Sequence, residues 1–287
     1  MIIIKMLGGL GNQMFTLALM IKLQNLNKDV KLDMQDIDEY LSEHGWDDAT
    51  KVFNIKYYEA EKKEISEYYI DGEDINKKIF RKIRKLQKKY YVEDTTGNYD
   101  KKIFSFDNIY LMGYWQSYKY FEEIKKKIIY AFSFPIPTSK DNVLCMDKIR
   151  QSTNSISIHI RLGDYLEGIN REIYGGICTE EYYDAAISYF ENKYGNCTFF
   201  LFSNDKDYIK KFLDRENFFI VDCNNEKNAW ADMYLMTQCN HNIIANSSFS
   251  WWGAWLNQHK NKEVVAPKKW INTKEMKDIC PPEWIRL

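Results

Sequence analysis

A histidine and an arginine stand two positions apart at the end of an alternating run, Ser155-Ile-Ser-Ile-His159-Ile-Arg161-Leu-Gly-Asp164-Tyr165. The alternation predicts a strand that ends at the Gly163-Asp164 pair, so His159 and Arg161 face the same way. An arginine at the carboxyl end of a strand suits a phosphate, because its planar donors reach two oxygens at once and it stays charged. The alternative is an ordinary strand end with a solvated Arg161–Asp164 pair. The choice between this and a phosphate site depends on the surrounding residues.

Polar side chains also follow later apolar runs in the second half of the chain. Asp205 and Asp222 each end a predicted strand, and Ser247 and Ser248 follow another at the start of a helical pattern. The carboxyl ends of parallel strands share one edge of a sheet, so we expect these groups to converge with Arg161. Serine hydroxyls and N–H groups at a helix start bind anions, which predicts a diphosphate site. The sequence has no P-loop, which argues against an NTPase.

A second set of candidate site residues opens the chain. A short apolar run predicts a buried strand, and the glycine-rich loop at 8–13 leads directly into an apolar helix. Glycines such as Gly11 let a backbone approach a ligand, and Asn12 offers an amide to a sugar hydroxyl. Helix capping is an equal explanation for Asn12 and Gln13. The dinucleotide fingerprint is incomplete, because Met14 stands where the third glycine belongs.

These residues require a scaffold that brings both halves of the chain together. Strands alternate with helices, which predicts an α/β protein with parallel sheets and right-handed crossovers. Prolines and polar residues at 135–142 are the best linker candidate. We therefore predict two Rossmann-like domains facing a cleft, residues 1–145 and residues 146–287. The aromatic and amide cluster at 113–118 is expected to form a wall of that cleft.

Local signals predict further elements. Thr179, followed by two glutamates, has the pattern of an N-cap for a helix that ends by Gly195. The residues from Tyr120 to about Phe132 predict another helix, whereas those from 33 to about 74 show little periodicity. The tail from Trp270 is expected to pack back on the first domain.

Composition and charge exclude several classes of protein. The 287 residues carry a formal net charge of -1, which gives no electrostatic argument for a nucleic-acid partner. Six scattered cysteines without a C-x-x-C pair predict free thiols in a reducing cytosol and no structural zinc site. The first apolar run is too short for a signal peptide, and no run reaches eighteen apolar residues. We expect a cytoplasmic protein.

The segment 77–89 predicts an amphipathic basic helix, in which Ile79, Ile83 and Leu86 share one face and eight Lys or Arg residues crowd the others. A solvated face on the domain surface explains this charge. The alternative is peripheral contact with the anionic inner face of a membrane, which would matter for a lipid-linked acceptor.

Three stretches resemble the motifs of the α-1,2-fucosyltransferases, inverting glycosyltransferases that use GDP-fucose. They are Gly8–Met14, His159–Asp164 and Ala245–Trp255, and they occur in the order and spacing of that family. The resemblance implies a fold of GT-B type, with the GDP-sugar bound mainly by the second half and the acceptor by the first. It also implies transfer of L-fucose from GDP-β-L-fucose to O2 of a terminal β-galactoside, on an oligosaccharide or glycolipid, in surface polysaccharide synthesis. No metal or cofactor is implied.

The resemblance also implies roles for individual residues. Arg161 resembles the arginine that holds the β-phosphate, and His159 the histidine that contacts the nucleotide. Asp232 resembles the carboxylate that binds the guanine N1 and N2 hydrogens, and Asn12 the amide near the reacting sugar. Asp164 is a candidate general base, with a salt bridge to Arg161 as its alternative role. The remaining residues expected to bind the GDP-sugar are Gly11, Asp205, Ser247, Ser248 and Phe249.

The sequence departs from the family pattern at two positions. Leu162 stands where a second arginine is usual, and Ser203-Asn204-Asp205 replaces the usual Ser-Asp-Asp. Leu162 keeps two alternatives open, a transferase for another GDP-hexose and a catalytically degenerate glycan-binding homologue. A third alternative is a metal site, because Asp205-Lys206-Asp207 has the D-x-D pattern of metal-dependent glycosyltransferases.

Overall fold

The structure is a computed structural model. It describes residues 1–68, 89–94, 96–205, 209 and 215–287, without the side chains of Asp164 and Leu166. The predicted basic helix therefore lies outside the described residues except for Lys89, as does Asp207 of the D-x-D pattern.

The described part of the first half forms a sheet of four parallel strands in the order β2-β1-β4-β3. The strands are β1 (Ile2–Lys5), β2 (Val30–Asp33), β3 (Tyr90–Val92) and β4 (Ile109–Met112). The helices are α1 (Leu10–Asn25), α2 (Ile37–His44), α3 (Ala49–Val52), α4 (Lys62–Tyr68) and α5 (Lys125–Ala131). Helices α2 to α4 occupy the stretch that shows little periodicity, and each buries only one or two side chains, too few to make a pattern.

The described part of the second half forms a sheet of six parallel strands in the order β10-β9-β8-β5-β6-β7. The strands are β5 (Ser155–Ile160), β6 (Thr198–Ser203), β7 (Phe218–Ile220), β8 (His241–Ile243), β9 (Val264–Ala266) and β10 (Ile285–Arg286). The helices are α6 (Lys140–Gln151), α7 (Gly168–Tyr174), α8 (Glu180–Tyr194), α9 (Ala229–Gln238) and α10 (Ser248–Leu256). Two parallel sheets interleaved with helices confirm the predicted α/β class, and the architecture is of the GT-B type.

Two helix predictions have different outcomes. Helix α8 is confirmed, since the Thr179 hydroxyl accepts from the N–H of Tyr182 and Gly195 ends the helix at φ 71°. The helix predicted from Tyr120 to Phe132 is wrong in its first half, where 3-10 turns precede α5. Phe121, at φ -138° and ψ 4°, is fully buried, so core packing interrupts the helix there.

The predicted linker is irregular only at 132–139. Helix α6 then begins, capped by the hydroxyl of Ser139, so the polar residues that predicted a linker are its first turn. The predicted domain boundary between residues 145 and 146 falls inside this helix. Its buried side chains Cys145, Met146 and Ile149 belong to one cluster with Phe200 and other residues of the second sheet.

The largest core cluster contains side chains from both halves. Helix α1 packs on α10, where the Phe15 ring lies 4.7 Å from Trp251 and 4.9 Å from Trp252. Phe121 stacks on Trp252 at 5.3 Å. Every residue of α10 from Ser250 to its end is buried, so burial is not limited to the single apolar face of an amphipathic helix. Buried aromatic area of this kind fixes the two halves against each other.

The tail packs across the junction of the halves. The indole N–H of Trp251 donates to the carbonyl of Ile279, and the Tyr99 N–H donates to Asp278. Among the described residues, no helix is long and apolar enough to cross a membrane.

Candidate functional site

The order of the second sheet creates a crevice beside its central strand. β6 and β7 lie on one side of β5, and β8, β9 and β10 lie on the other. Ligands of open parallel sheets bind at such a switch point, outside the carboxyl ends of the strands. His159 and Arg161 are at this end of β5, and Ser247 begins α10 after β8. The prediction that these groups converge is confirmed for β5 and β8.

The other two predicted strand ends lie on the opposite side of β5 from β8. Asp205 follows β6, next to β5 on the opposite side from β8, and its N–H donates to the Ser203 hydroxyl at 3.0 Å. Asp222 follows β7 at the sheet edge, two strand positions or ~10 Å from β5. Convergence of all four strand ends was therefore wrong for Asp222.

A matching crevice opens in the first sheet between β1 and β4. β2 lies on one side of β1, and β4 and β3 lie on the other. The first turn of α1, which follows β1, carries Asn12, and the loop after β4 carries Gln116, whose amide donates to the Asn12 Oδ1 at 2.7 Å. The helix start and this loop thus form one wall, in line with the prediction for the segment 113–118.

The two crevices meet where α1 and α10 begin. A Cβ atom at Gly11 would lie 2.6 Å from the carbonyl carbon of Ser248 and 2.7 Å from the nitrogen of Phe249. The indole N–H of Trp252 donates to the Gly11 carbonyl at 2.9 Å. This backbone approach explains why position 11 is glycine. It also puts the N-termini of two helices, with their partial positive charge, side by side.

His159 is a buried, neutral side chain of the β5 crevice. It is 5% exposed, and its ring centroid lies 5.5 Å from that of Phe249. Burial, and then the charge of Arg161, lower the pKa of His159 to about 3. Its Nδ1 is buried and has no hydrogen-bond partner among the described residues. Because a buried polar atom is normally paired, this nitrogen is suited to a ligand.

Arg161 lies over the ring of Tyr165, a side chain that also contacts the residues before α10. Its guanidinium lies 5.5 Å from the centroid of the Tyr165 ring, which stacks on Tyr174 at 4.8 Å. The Tyr165 hydroxyl donates to the carbonyl of Asn246, the residue before Ser247, at 3.2 Å. The backbone of Asp164 lies in a 3-10 turn beside Arg161. The side chain of Asp164 lies outside the described residues, so its roles stay predictions.

The two departures from the family pattern lie in contact. The N–H of Leu162 donates to the Asn204 Oδ1 at 2.9 Å, and the Asn204 amide donates to the Leu162 carbonyl at 3.0 Å. An aspartate could accept but not donate, so this pair of bonds requires the amide. The Leu162 side chain packs on the apolar cluster of the second sheet. Asn204 thus fixes the turn at Gly163, which has φ 66°.

Asp232 lies in the first turn of α9, in a network of amides. Its Oδ1 accepts from the side chain of Asn224 at 2.7 Å. Asn224 in turn exchanges two hydrogen bonds with Asn142 of α6, at 2.8 and 3.0 Å. This network orients the carboxylate predicted to bind guanine, and the sequence did not single out either asparagine.

Asp47 of the first half caps the helix that carries Asp232. Its Oδ2 accepts from the N–H of Trp230 at 3.0 Å. Burial raises the pKa of Asp47 to about 6, against the opposing effect of hydrogen bonds from the N–H groups of Trp230 and Ala229. The surrounding stretch shows little periodicity, so no sequence signal pointed to Asp47.

Gln13 anchors the loop that contains Asp47. Its amide donates to the carbonyls of Gly8 and Asp47 and accepts from the N–H of Ala49 at 2.9 Å. Helix α1 has Gly9 at its N-cap and no side-chain cap. The capping interpretation of Asn12 and Gln13 is therefore wrong, because Gln13 ties α1 to the loop that caps α9.

Glu93 positions the loop that carries Gln116. Its Oε2 accepts from the N–H groups of Tyr114 and Trp115 at 2.7 and 3.0 Å, and burial raises its pKa. Trp115 adopts φ 55°, a strained value for a side chain of its size. Glu93 follows β3, an edge strand that the sequence did not predict.

Metal-ligand side chains do not cluster in the part of the chain that is described. No group of three or more His, Cys, Asp or Glu side chains there could hold a metal ion. The six cysteines, all of them described, are not joined by disulfides.

Two parallel sheets whose crevices meet at paired helix N-termini, with an arginine beside a neutral histidine, define a GT-B protein. The whole chain, residues 1–287, matches the model described as Glycosyl transferase family 11. The chain belongs to this family and is a glycosyltransferase, which confirms the family predicted from the three motifs.

Two curated relatives align with nearly the whole chain, and a third aligns with about half of it. It is 34% identical over 297 residues to the alpha-1,2-colitosyltransferase of Escherichia coli, covering 100% of this chain and 98% of the relative. It is 28% identical over 310 residues to the O-antigen biosynthesis glycosyltransferase WbnK of Escherichia coli, covering 98% of both chains. It is 24% identical over 154 residues to galactoside alpha-(1,2)-fucosyltransferase 1 of Aotus azarae, covering 51% of this chain and 42% of the relative.

Proposed function

We propose that the protein transfers L-fucose from GDP-β-L-fucose to O2 of a terminal β-galactoside, in the synthesis of a bacterial surface polysaccharide. Its similarity to an alpha-1,2-colitosyltransferase, an O-antigen glycosyltransferase and a galactoside alpha-(1,2)-fucosyltransferase supports this activity. The observation that carries the proposal is the meeting of the two helix N-termini, where Gly11 of α1 lies against Ser248 and Phe249 of α10. The His159 ring lies 5.5 Å from that of Phe249 at the same place.

The proposed reaction is a single displacement with inversion. A hydroxyl oxygen of the acceptor forms a bond to the anomeric carbon while the bond from that carbon to the β-phosphate oxygen breaks, so β becomes α. Arg161 and the N-terminus of α10 stabilise the negative charge that grows on the departing GDP. Loss of one such donor costs on the order of 10² to 10³ in rate.

The nucleotide would be recognised by groups on both sides of the diphosphate. Asp232 accepts from guanine N1 and N2, and the amide network of Asn224 keeps its carboxylate oriented. His159 is neutral because its pKa is near 3, so it offers hydrogen bonds without adding charge. The serines that begin α10 contact the diphosphate, and Asn12 lies near the transferred sugar.

Asp164 is the proposed general base, with a structural salt bridge as the competing role. An Asp164→Asn substitution separates the two. A base that is lost lowers kcat and removes the acidic limb of its pH profile, whereas a lost salt bridge raises the KM for GDP-fucose and leaves the pH profile unchanged.

The enzyme is proposed to work without a metal or another cofactor, because Arg161 and two helix N-termini supply positive charge to the leaving group. The alternative D-x-D site includes Asp207, which lies outside the described residues. Full activity in EDTA is expected, and activity that EDTA abolishes and Mn²⁺ or Mg²⁺ restores would establish the metal site instead.

Two alternatives to fucose transfer differ in their support. A donor carrying colitose is favoured by the 34% identity to the colitosyltransferase. A degenerate, glycan-binding homologue rested on Leu162, which replaces an arginine. The paired bonds between Leu162 and Asn204 weaken that argument, because the turn stays fixed without the second charge.

We further propose that the enzyme works in the cytoplasm, in peripheral contact with the inner face of the membrane. The basic segment 77–89 is the motivation, and its structure lies outside the described residues except for Lys89. Binding to vesicles that contain phosphatidylglycerol, lost when four of its lysines are replaced by glutamine, is the expected result.

The proposal is tested by transfer to lactose from GDP-fucose, GDP-colitose and GDP-mannose, in EDTA, with Arg161→Ala as the control variant. We expect lactose-dependent release of GDP from GDP-fucose that the variant lowers at least a hundredfold. Preference for GDP-colitose would change the donor, and GDP binding without turnover of any donor would favour the degenerate homologue. No binding of GDP would refute the proposed function.

A further inference from the structure

The tail forms a basic cleft of about 540 Å³, lined by residues 268–277 and Arg286. We call it the tail cleft. Its lining carries five cations, Lys268, Lys269, Lys274, Lys277 and Arg286. Glu275 is the lining carboxylate among the described residues, and it lies 3.4 Å from the ammonium of Lys277. The whole chain has a net charge of -1, so this positive charge is a local feature.

The tail cleft bridges the two halves of the molecule. On one side, the Asn272 N–H donates to the carbonyl of Ile173 at 2.8 Å, in the helix that follows the Arg161 turn. On the other side, the Lys277 N–H donates to the Asn98 side chain at 2.8 Å, in the loop after β3. The tail cleft therefore lies along the junction between the proposed donor half and acceptor half.

Buried contacts hold the backbone of the tail cleft in place. Trp270 is buried, and its carbonyl accepts from the side chain of Asn246 at 3.0 Å, directly before Ser247. The Arg286 guanidinium donates to the carbonyls of Pro267 and Lys268 at 2.9 and 2.7 Å. Arg286 thus braces the backbone, and the lysine side chains line a fixed surface.

The charge of Lys274 acts on the first half. Lys274 is half-buried, whereas Lys277 is exposed. The pKa of Asp94 is lowered, first by the N–H and hydroxyl of Thr96 and also by the charge of Lys274. Asp94 follows β3, so this positive charge is felt at the carboxyl edge of the first sheet.

We propose that the tail cleft binds a phosphate-bearing group of the acceptor, an inference that rests on the proposed transferase function for its choice of ligand. Several lysines act as point charges that suit a phosphate, which carries more than one negative charge, whereas a neutral sugar needs none. The donor diphosphate has its own arginine at the β5 crevice, so the tail cleft is a second cationic site. Because the tail cleft lies between the halves, it can accept a group at the end of the acceptor opposite the galactoside that receives the transferred sugar.

Direct binding tests the site without any transfer reaction. The probe is inorganic pyrophosphate, titrated in the presence of saturating GDP so that the donor site does not contribute. The test variant is Lys274→Gln with Lys277→Gln, and the matched control is Lys126→Gln with Lys260→Gln, two exposed lysines outside the tail cleft. We expect the dissociation constant to rise at least tenfold in the test variant and to stay within twofold in the control. Absence of binding by the wild type, or equal loss in both variants, overturns the proposal.

Turnover tests whether the site serves the acceptor. Two acceptors end in the same β-galactoside, one neutral and one carrying a diphosphate at its other end. We expect the KM of the diphosphate acceptor to be about tenfold lower than that of the neutral acceptor. Rising salt should weaken this preference. The test variant should abolish the preference without changing the KM of the neutral acceptor. Equal KM values in the wild type overturn the proposal.

Two further outcomes distinguish a lipid headgroup from the acceptor as the source of phosphate, and distinguish the tail-cleft proposal from the proposed fucosyl transfer. Loss of binding to phosphatidylglycerol vesicles in the test variant, with equal KM values for both acceptors, assigns the lysines to a lipid surface and overturns the acceptor site. Pyrophosphate binding that depends on Lys274 and Lys277, without glycosylation of either acceptor, supports the anion site while the proposed fucosyl transfer fails.

Discussion

Replacing Gly11 with alanine should couple a loss of stability to a loss of activity. The added Cβ would lie 2.6 Å from the carbonyl carbon of Ser248, about 0.8 Å short of the 3.4 Å at which ordinary contact begins. The obstacle is backbone, so α1 and α10 must separate. Overpacking of this kind costs about 1–3 kcal/mol, whereas the helix propensity of alanine returns up to about 1 kcal/mol. We expect a net loss of up to about 2 kcal/mol.

The same displacement should reach the donor site, because Ser248 is the first residue of α10. A shift of about 1 Å in a catalytic geometry lowers the rate by on the order of a hundredfold. The assay combines a calorimetric Tm with kcat/KM for GDP-fucose. The matched control is Gly253→Ala in the same helix, where the added Cβ meets the flexible side chain of Met236 at 3.0 Å. A Gly11→Ala enzyme with the Tm and kcat/KM of the control would refute the close approach of the two helices.

Three other substitutions have outcomes that the structure defines. The pKa of the Asp47 carboxyl is raised to about 6, so the stability that this group contributes is lost as the pH rises through 6. Asp47→Asn should therefore raise the Tm at pH 8 and leave the Tm unchanged at pH 4. Lower stability of the variant at both pH values would contradict this. His159→Phe should stabilise the fold by about 1 kcal/mol, because it removes a buried unpaired nitrogen, and should weaken GDP binding tenfold or more, so calorimetry and titration must move in opposite directions. Asn204→Asp removes the donor to the Leu162 carbonyl and should cost about 1 kcal/mol with a higher KM for GDP-fucose, whereas an unchanged KM would separate this turn from donor binding.

Elements with a strong local pattern could be predicted from the sequence. β5 and β6 are six residues long and fully or almost fully buried, and α8 has a cap at each end. β3 and β10 were not predicted, because each is a short edge strand whose place depends on pairing with β4 or β9. Helix α10 was located correctly, but its burial on all sides follows from its place between the halves, which no local pattern records.

The site residues also fall into those that the sequence could predict and those that depend on tertiary contacts. His159, Arg161 and Ser247 were predicted because strand ends of a parallel sheet share an edge. The strand order decides which of these ends are neighbours, and it separates Asp222 from Arg161. Asp47, which caps α9 from the other half, depends on a contact between residues 183 positions apart. Such a contact exists only once both domains are folded and packed.

We propose that the β5 crevice holds the diphosphate of a guanine nucleotide, and calorimetric titration with GDP measures this binding. The wild type should bind GDP more tightly than UDP or ADP. Arg161→Ala should weaken GDP binding at least tenfold while its Tm without ligand stays near that of the wild type, since Arg161 ends a strand rather than filling the core. Equal affinity of the wild type for the three nucleotides, or an Arg161→Ala variant that binds GDP as well as the wild type, would contradict the account.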